Sequence, residues 1–260
     1  MHNGVLFAFC LTLFAGISTG AGSILVLFAK RTSTKFLSLS LGFSAGVMLY
    51  VAMIEIFTKA RVYLSLAHGE ITGYWYTVIA FFAGIILIAI IDFFIPSADS
   101  DIGAKTNTSK SRLEHMGVIT ALTIAIHNFP EGMATFTSAL KEPHLGIAIA
   151  VAIAIHNIPE GIATALPIYY STEKKSKAFY SSFLSGMTEP AGAILGYLAL
   201  RPFFNDTTFG VLFAMVAGIM VFISLEELLP MAHEYEKSKI TIIGVIGGMV
   251  LMALSLLLLS

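Results

Sequence analysis

Charge is scarce in this chain, cysteine almost absent, and long polar stretches confined to one connection. Asp, Glu, Lys and Arg together make up 12% of the 260 residues, for a formal net charge of -1. Soluble domains carry about 25% charged residues, so this chain cannot dress an ordinary water-facing surface. With so few basic side chains, a nucleic-acid partner is not expected. Cys10 is the single cysteine; it excludes an intrachain disulfide and speaks against thiolate metal sites. No Walker-type phosphate loop occurs, which argues against ATP as an energy source.

What fills the chain instead is hydrocarbon: 57% of residues are hydrophobic, and the mean hydropathy is +0.85. A bilayer span needs about 20 apolar residues. Eight stretches qualify, approximately 4–29, 36–57, 71–95, 113–140, 145–170, 178–200, 208–229 and 240–259. They leave no stretch among these residues for a separate soluble domain. The first lacks a basic flank and is too long for a cleaved signal peptide, so it is expected to stay as a helix. With both termini on one side, that side's opposite face carries eleven Lys and Arg in its loops, against Lys59, Arg61, Lys141 and Arg201 on the terminal side. The positive-inside bias therefore places both termini outside the cytoplasm. The connection 96–112, rich in Ser, Thr, Asn and Asp, is then cytoplasmic and expected to be flexible.

Against this apolar background one hexapeptide occurs twice. His127-Asn128-Phe129-Pro130-Glu131-Gly132 returns 29 residues later as His156-Asn157-Ile158-Pro159-Glu160-Gly161. Both copies lie near the middle of a span, where an ionisable residue costs about 2.5–3.5 kcal/mol on insertion scales. Such residues usually line a pathway. His127 and Glu131 are four residues apart, hence on one helical face about 6 Å apart, and His156 with Glu160 repeats the arrangement. The short turn Lys141–Pro143 makes the two spans antiparallel neighbours whose His-Glu faces converge. Pro130 and Pro159 cannot donate to the carbonyls of Ile126 and Ile155, so spans four and five are expected to be the broken helices. Imidazole, carboxylate and amide oxygen suit zinc, and also ferrous iron, manganese, cobalt, nickel or cadmium. Glu189, followed by Pro190, lies near the middle of span six and can reach the same cavity. Asp92, Glu226, Glu227, His233 and Glu234 gather at inner span ends and read as an exit pathway or as solvated interface residues. Glu55 sits at the outer end of span two as an entrance group or an anchor. Asn205-Asp206-Thr207 matches a glycosylation sequon.

The ends of the chain also match each other. Ala45-Gly46-Val47-Met48 in span two reads like Ala217-Gly218-Ile219-Met220 in span seven, a register that sets Glu55 opposite Glu227. Gly16 and Gly22 in span one match Gly186 and Gly192 in span six. Ala83-Gly84 in span three matches Gly247-Gly248 in span eight. Five spans separate the members of each pair, so the copies run oppositely through the bilayer, an inverted repeat of the kind found in secondary transporters.

On these motifs, together with the stretch Leu41–Met48, Asp92 with Pro96, and Glu226-Glu227-Leu228-Leu229-Pro230, the chain resembles the ZIP (zinc- and iron-regulated-transporter-like) metal transporters, in particular their small bacterial branch. The resemblance spans essentially the whole chain. It implies an all-α integral membrane protein with eight transmembrane helices in a three-two-three arrangement, helices 1–3 and 6–8 forming an inverted repeat around helices 4–5. It also implies a binuclear metal centre, with His127, Glu131 and Glu160 as ligands, His156 joining them, and Asn128, Asn157 and Glu189 about the second position. The function implied is import of divalent metal, zinc first, with Fe2+, Mn2+, Co2+ and Cd2+ as further candidates, across a plasma or bacterial inner membrane. The ion is cargo, and no cofactor is expected; monomer and homodimer both remain open. An intramembrane metalloprotease is the enzyme rival, but it wants His-Glu-x-x-His on one helix, an order neither copy has. A metal receptor that binds without transporting, and a selective channel, are the remaining alternatives.

Overall fold

The computed structural model describes residues 2–28, 34–94, 109–203, 205–235 and 239–259. All regular structure among them is helical, as lipid demands of a chain that must satisfy its backbone internally. In chain order the helices are α1 (His2–Phe28), α2 (Thr34–Tyr50, continued through a widened turn Val51–Ile56 into Phe57–His68), α3 (Glu70–Phe93), α4 (Ser109–Lys141) and α5 (Pro143–Thr172). Then follow α6 (Lys175–Gly186 and Thr188–Leu200), α7 (Asp206–Ile223, a second widened turn Ser224–Leu228, then Leu229–Tyr235) and α8 (Ile240–Leu259). Residues 95–108, most of the polar connection, lie outside the described residues, and α4 takes in its last four positions.

Six of these helices are long and apolar enough to cross a membrane: α1, α2, α3, α5, α7 and α8. The other two expected spans fall short for separate reasons. In α4 the motif's own polar residues dilute the apolar run, and α6 is interrupted at Met187. That interruption corrects the sequence expectation. α4 continues through Pro130, and α5 through Pro159 and Pro167; one missing donor each does not stop a helix that its neighbours enclose. The interruption falls instead one turn before Pro190, which cannot donate to the Gly186 carbonyl where the first piece ends; Ser185 Oγ donates to Ser182 O at 2.7 Å and Thr188 Oγ1 to Ser185 O at 2.6 Å beside it. Pro190 then sits in the first turn of the resumed helix, where its missing N–H costs nothing.

The connections are tight. Gly69 alone separates α2 from α3; its φ of 83° is open to glycine at little cost, and its N–H closes on Ser65 O at 2.9 Å. Glu142 alone separates α4 from α5. Asn205 begins α7 by accepting the N–H of Thr208 at 2.9 Å, so the sequon asparagine serves as a helix cap.

Packing follows the glycines. A Cβ on Gly46 would stand 2.1 Å from the Val245 carbonyl oxygen, and one on Gly248 2.1 Å from that of Phe43, so α2 and α8 touch backbone to backbone. α7 and α3 do the same through Gly218 against Phe81 O and Gly84 against Met215 O, again 2.1 Å each. In the matched register these are the same two contacts made twice. Likewise Gly22 lies against Ile158 O and Gly192 against Phe129 O, while Gly161 meets Thr19 O and Gly132 meets Glu189 O. Small residues permit this approach where lipid offers no hydrophobic force to drive association. The two widened turns also fall at matching places, with Glu55 inside one and Glu227 inside the other.

α5 is the most enclosed of the six long helices, 78% buried, whereas α3 and α8 are 28% and 22% buried. Ile79, Phe82, Ile86 and Ile90 line the outer face of α3, and Ile246, Val250 and Leu254 that of α8. Apolar faces this large belong in a bilayer. The chain is a multi-pass membrane protein.

At the α4–α5 tip, Lys141 pairs with Asp206 of α7 at 2.5 Å, under the rings of Tyr63 and Phe209, and Lys59 of α2 pairs with Glu142 at 3.3 Å. Both pairs are about one-third to one-half exposed, which limits their worth. Asp206→Asn is expected to lower stability by about 0.5–1 kcal/mol, read as a small drop in melting temperature in detergent that shrinks at high salt.

Candidate metal centre

The two hexapeptides meet inside the protein. α4 and α5 pack along their length, and His156 Nε2 of α5 stands 3.4 Å from Glu131 Oε2 of α4, with both side chains buried. Asn128, Asn157, Glu160 and Glu189 are buried too. Four helices therefore contribute to one polar interior: α4, α5, α6 through Glu189, and α2 through Ser44.

The two asparagines are held alike. Asn157 Nδ2 donates to the Ala15 carbonyl of α1 at 3.0 Å, and Asn128 Nδ2 donates to the Ser185 carbonyl of α6 at 3.2 Å. Ala15 and Ser185 are equivalent positions in the α1/α6 match. Asn157 Nδ2 also donates to Glu189 Oε1. Asn128 Oδ1, Asn157 Oδ1, Glu131 Oε1 and Glu189 Oε2 have no hydrogen-bond partner among the described residues. Each unsatisfied buried acceptor costs about 1–3 kcal/mol. A surplus of oxygen acceptors over donors is the condition that a cation satisfies.

Ser44 escaped the sequence reading. Its Oγ lies 3.5 Å from Glu160 Oε1 and 3.3 Å from the His156 carbonyl oxygen, tying α2 to the middle of α5. The signal was a lone hydroxyl within Gly42-Phe43-Ser44-Ala45-Gly46, a stretch read for the internal repeat and the family resemblance, with no role given to Ser44. His127 lies on α4 one turn before Glu131; its side chain, like that of Glu234, is outside those described. Among the described residues no three His, Cys, Asp or Glu side chains close into a ready metal cage. No hydrogen bond or ion pair among them joins Asp92, Glu226 or His233 to one another; His233 Nδ1 instead lies 2.9 Å from Leu229 O of its own helix. Glu55 lines a cavity of about 780 Å³ near the α4–α5 tip, with Lys59, Glu142 and His144.

A family model described as ZIP Zinc transporter matches residues 97–256. This chain belongs to the ZIP family. Its similarity to named relatives runs end to end. A protein called Zinc transporter ZupT from Lysinibacillus sphaericus is 54% identical over 268 residues, covering 100% of both chains. One of the same name from Oceanobacillus iheyensis is 55% identical, covering 99% of this chain and 100% of its own. Another, from Clostridium perfringens, is 53% identical over 98% of this chain and 97% of its own. Within the ZIP family match fall both hexapeptides and Glu189; Ser44, which holds α5 at the same centre, lies before it and inside the full-length similarity.

Proposed function

We propose that this chain carries zinc ions across a cell membrane, binding them at mid-depth between α4 and α5. It is a transporter and not an enzyme, as its family is. The observation that carries the site is the set of four buried oxygens, two amide and two carboxylate, without a donor among the described residues. His127, Asn128, Glu131, His156, Asn157, Glu160 and Glu189 hold the ion, with room in that list for two metals; Fe2+, Mn2+, Co2+ and Cd2+ meet the same ligand chemistry.

The exchanged glycine contacts support a three-two-three arrangement, α1–α3 and α6–α8 as inverted copies around α4–α5. One difference between the copies supports alternating access. Ser44 holds α2 against α5, whereas Val216, its match on α7, lines an apolar cleft of about 600 Å³ with Ile126, Phe129 and Pro130 of α4. Equivalent seams are closed on one side and open on the other, as expected of a carrier caught in one of two arrangements. The lysine and arginine bias puts both termini outside and makes the Glu55 cavity the entrance, with Asp92, Glu226, Glu227, His233 and Glu234 towards the exit.

An interior-negative potential favours entry of a dication by about 4.6 kcal/mol per 100 mV, twice the single-charge value. Radioactive zinc uptake into proteoliposomes is therefore expected to exceed that of protein-free liposomes and to rise when the interior is clamped negative. Uptake indistinguishable from protein-free liposomes at every potential sinks the reading.

A further inference from the structure

We propose that Thr135 and Thr164 are further cation-site residues, whose hydroxyls take up the ion, or water still bound to it, on either side of the carboxylates. The proposal rests on the zinc-carrier reading above. Thr135 follows Glu131 by four residues and Thr164 follows Glu160 by four, so they are one pair in the two copies of the repeat. Both are fully buried, and neither Oγ1 has a hydrogen-bond partner among the described residues.

A helical threonine has an acceptor close at hand in the carbonyl four residues back. Elsewhere this chain uses it. Thr12 donates to Ala8 O at 3.0 Å, Thr77 to Gly73 O at 2.8 Å, Thr137 to Met133 O at 2.6 Å and Thr172 to Ile168 O at 2.6 Å. The two threonines one turn beyond the motif glutamates do not. Of the three other buried hydroxyls in this condition, Thr19 is the α1 match of Glu189, Ser138 lies one turn further along α4 beyond Thr135, and Ser65 lies at the end of α2.

A hydroxyl offers two lone pairs and one proton, so it can accept a metal contact while donating to a carboxylate. Glu131 Oε1, one turn from Thr135, lacks a donor among the described residues. α4 and α5 run oppositely from their shared tip. Thr135 therefore lies about 6 Å from Glu131 towards the tip, and Thr164 about 6 Å from Glu160 away from it. The hydroxyls bracket the carboxylates along the membrane normal, where an ion exchanging water for protein ligands needs intermediate oxygens.

The test compares zinc uptake and melting temperature for wild type, Thr135→Val, Thr164→Val, the two Thr→Ser variants and Glu131→Gln in proteoliposomes. Each Val variant is expected to lose about five- to tenfold in Vmax/KM, and each Ser variant to recover most of it. Melting temperatures of the Val variants should stay level or rise, because a methyl of the same shape replaces an unpartnered hydroxyl. Val variants that transport like wild type while Glu131→Gln fails overturn this proposal alone. So does loss of transport that tracks a fall in melting temperature, since that marks the threonines as structural. Glu131→Gln transporting like wild type removes the zinc-site reading and this inference with it.

Discussion

Glu131→Gln is expected to cut zinc uptake by about a hundredfold or more while the protein still folds and inserts. Removing one charge from a buried set that holds a cation costs about 3 kcal/mol or more, and each 1.4 kcal/mol is tenfold in affinity. The same substitution should not lower the stability of the zinc-free protein. One carboxylate oxygen of Glu131 has no donor among the described residues, and the other has only His156 at 3.4 Å; an amide removes the buried charge without changing the shape. His127→Ala and Glu160→Ala should abolish most uptake in the same way. A second readout separates binding from movement. Zinc should raise the melting temperature of wild type by mass action, and that rise should vanish in Glu131→Gln. If zinc protects the variant as well as it protects wild type, Glu131 is not a ligand.

Gly248→Val is expected to prevent folding, whereas Gly247→Ala, one residue earlier, should be tolerated. A Cβ at 248 would meet the Phe43 carbonyl oxygen at 2.1 Å and the Val47 nitrogen at 2.9 Å, and backbone cannot give way as a side chain can. Parting α2 from α8 there loses the whole seam, so the expected cost exceeds the roughly 1–3 kcal/mol of ordinary overpacking. At 247 the nearest atom is the Phe43 ring at 3.9 Å, ordinary contact. Replacing a helical glycine by alanine then gains about 0.5–1 kcal/mol from backbone entropy. Yield of monodisperse protein and melting temperature in detergent check both. Equal behaviour of the two variants would mean that α2 and α8 do not touch as described.

The residues themselves showed a good deal of this. Composition alone pointed to a membrane protein, which the apolar helices bear out, and the repeated His-Asn-x-Pro-Glu-Gly is what the proposed cation site starts from, because ionisable groups are costly within a span. The matches Gly46 with Gly218 and Gly84 with Gly248 were also visible as letters. Their meaning was not, because a glycine beside an alanine or another glycine looks alike whether it meets backbone or lipid. The proline reading misjudged position. Pro130 and Pro159 each remove one hydrogen bond from helices that stay continuous, while the interruption came at Met187, one turn before Pro190. Ser44 went unassigned because its partner lies more than a hundred residues away.

Spacing along one helix, which sets His127 one turn from Glu131 and His156 one turn from Glu160, is a local property of the α-helix, so the sequence determined it. The same holds for the apolar class and the repeat register. Which faces meet depends on how closely backbones approach, and that is set by all the helices packed together. Only the tertiary structure could bring Glu131 to His156, set the asparagine donors on the Ala15 and Ser185 carbonyls and on Glu189, and leave the amide oxygens without a partner among the described residues. Only there do the matched seams differ: Ser44 bonds α2 to α5, while its match Val216 lines an apolar cleft beside α4, because side-chain contacts across helices are set by the assembled packing.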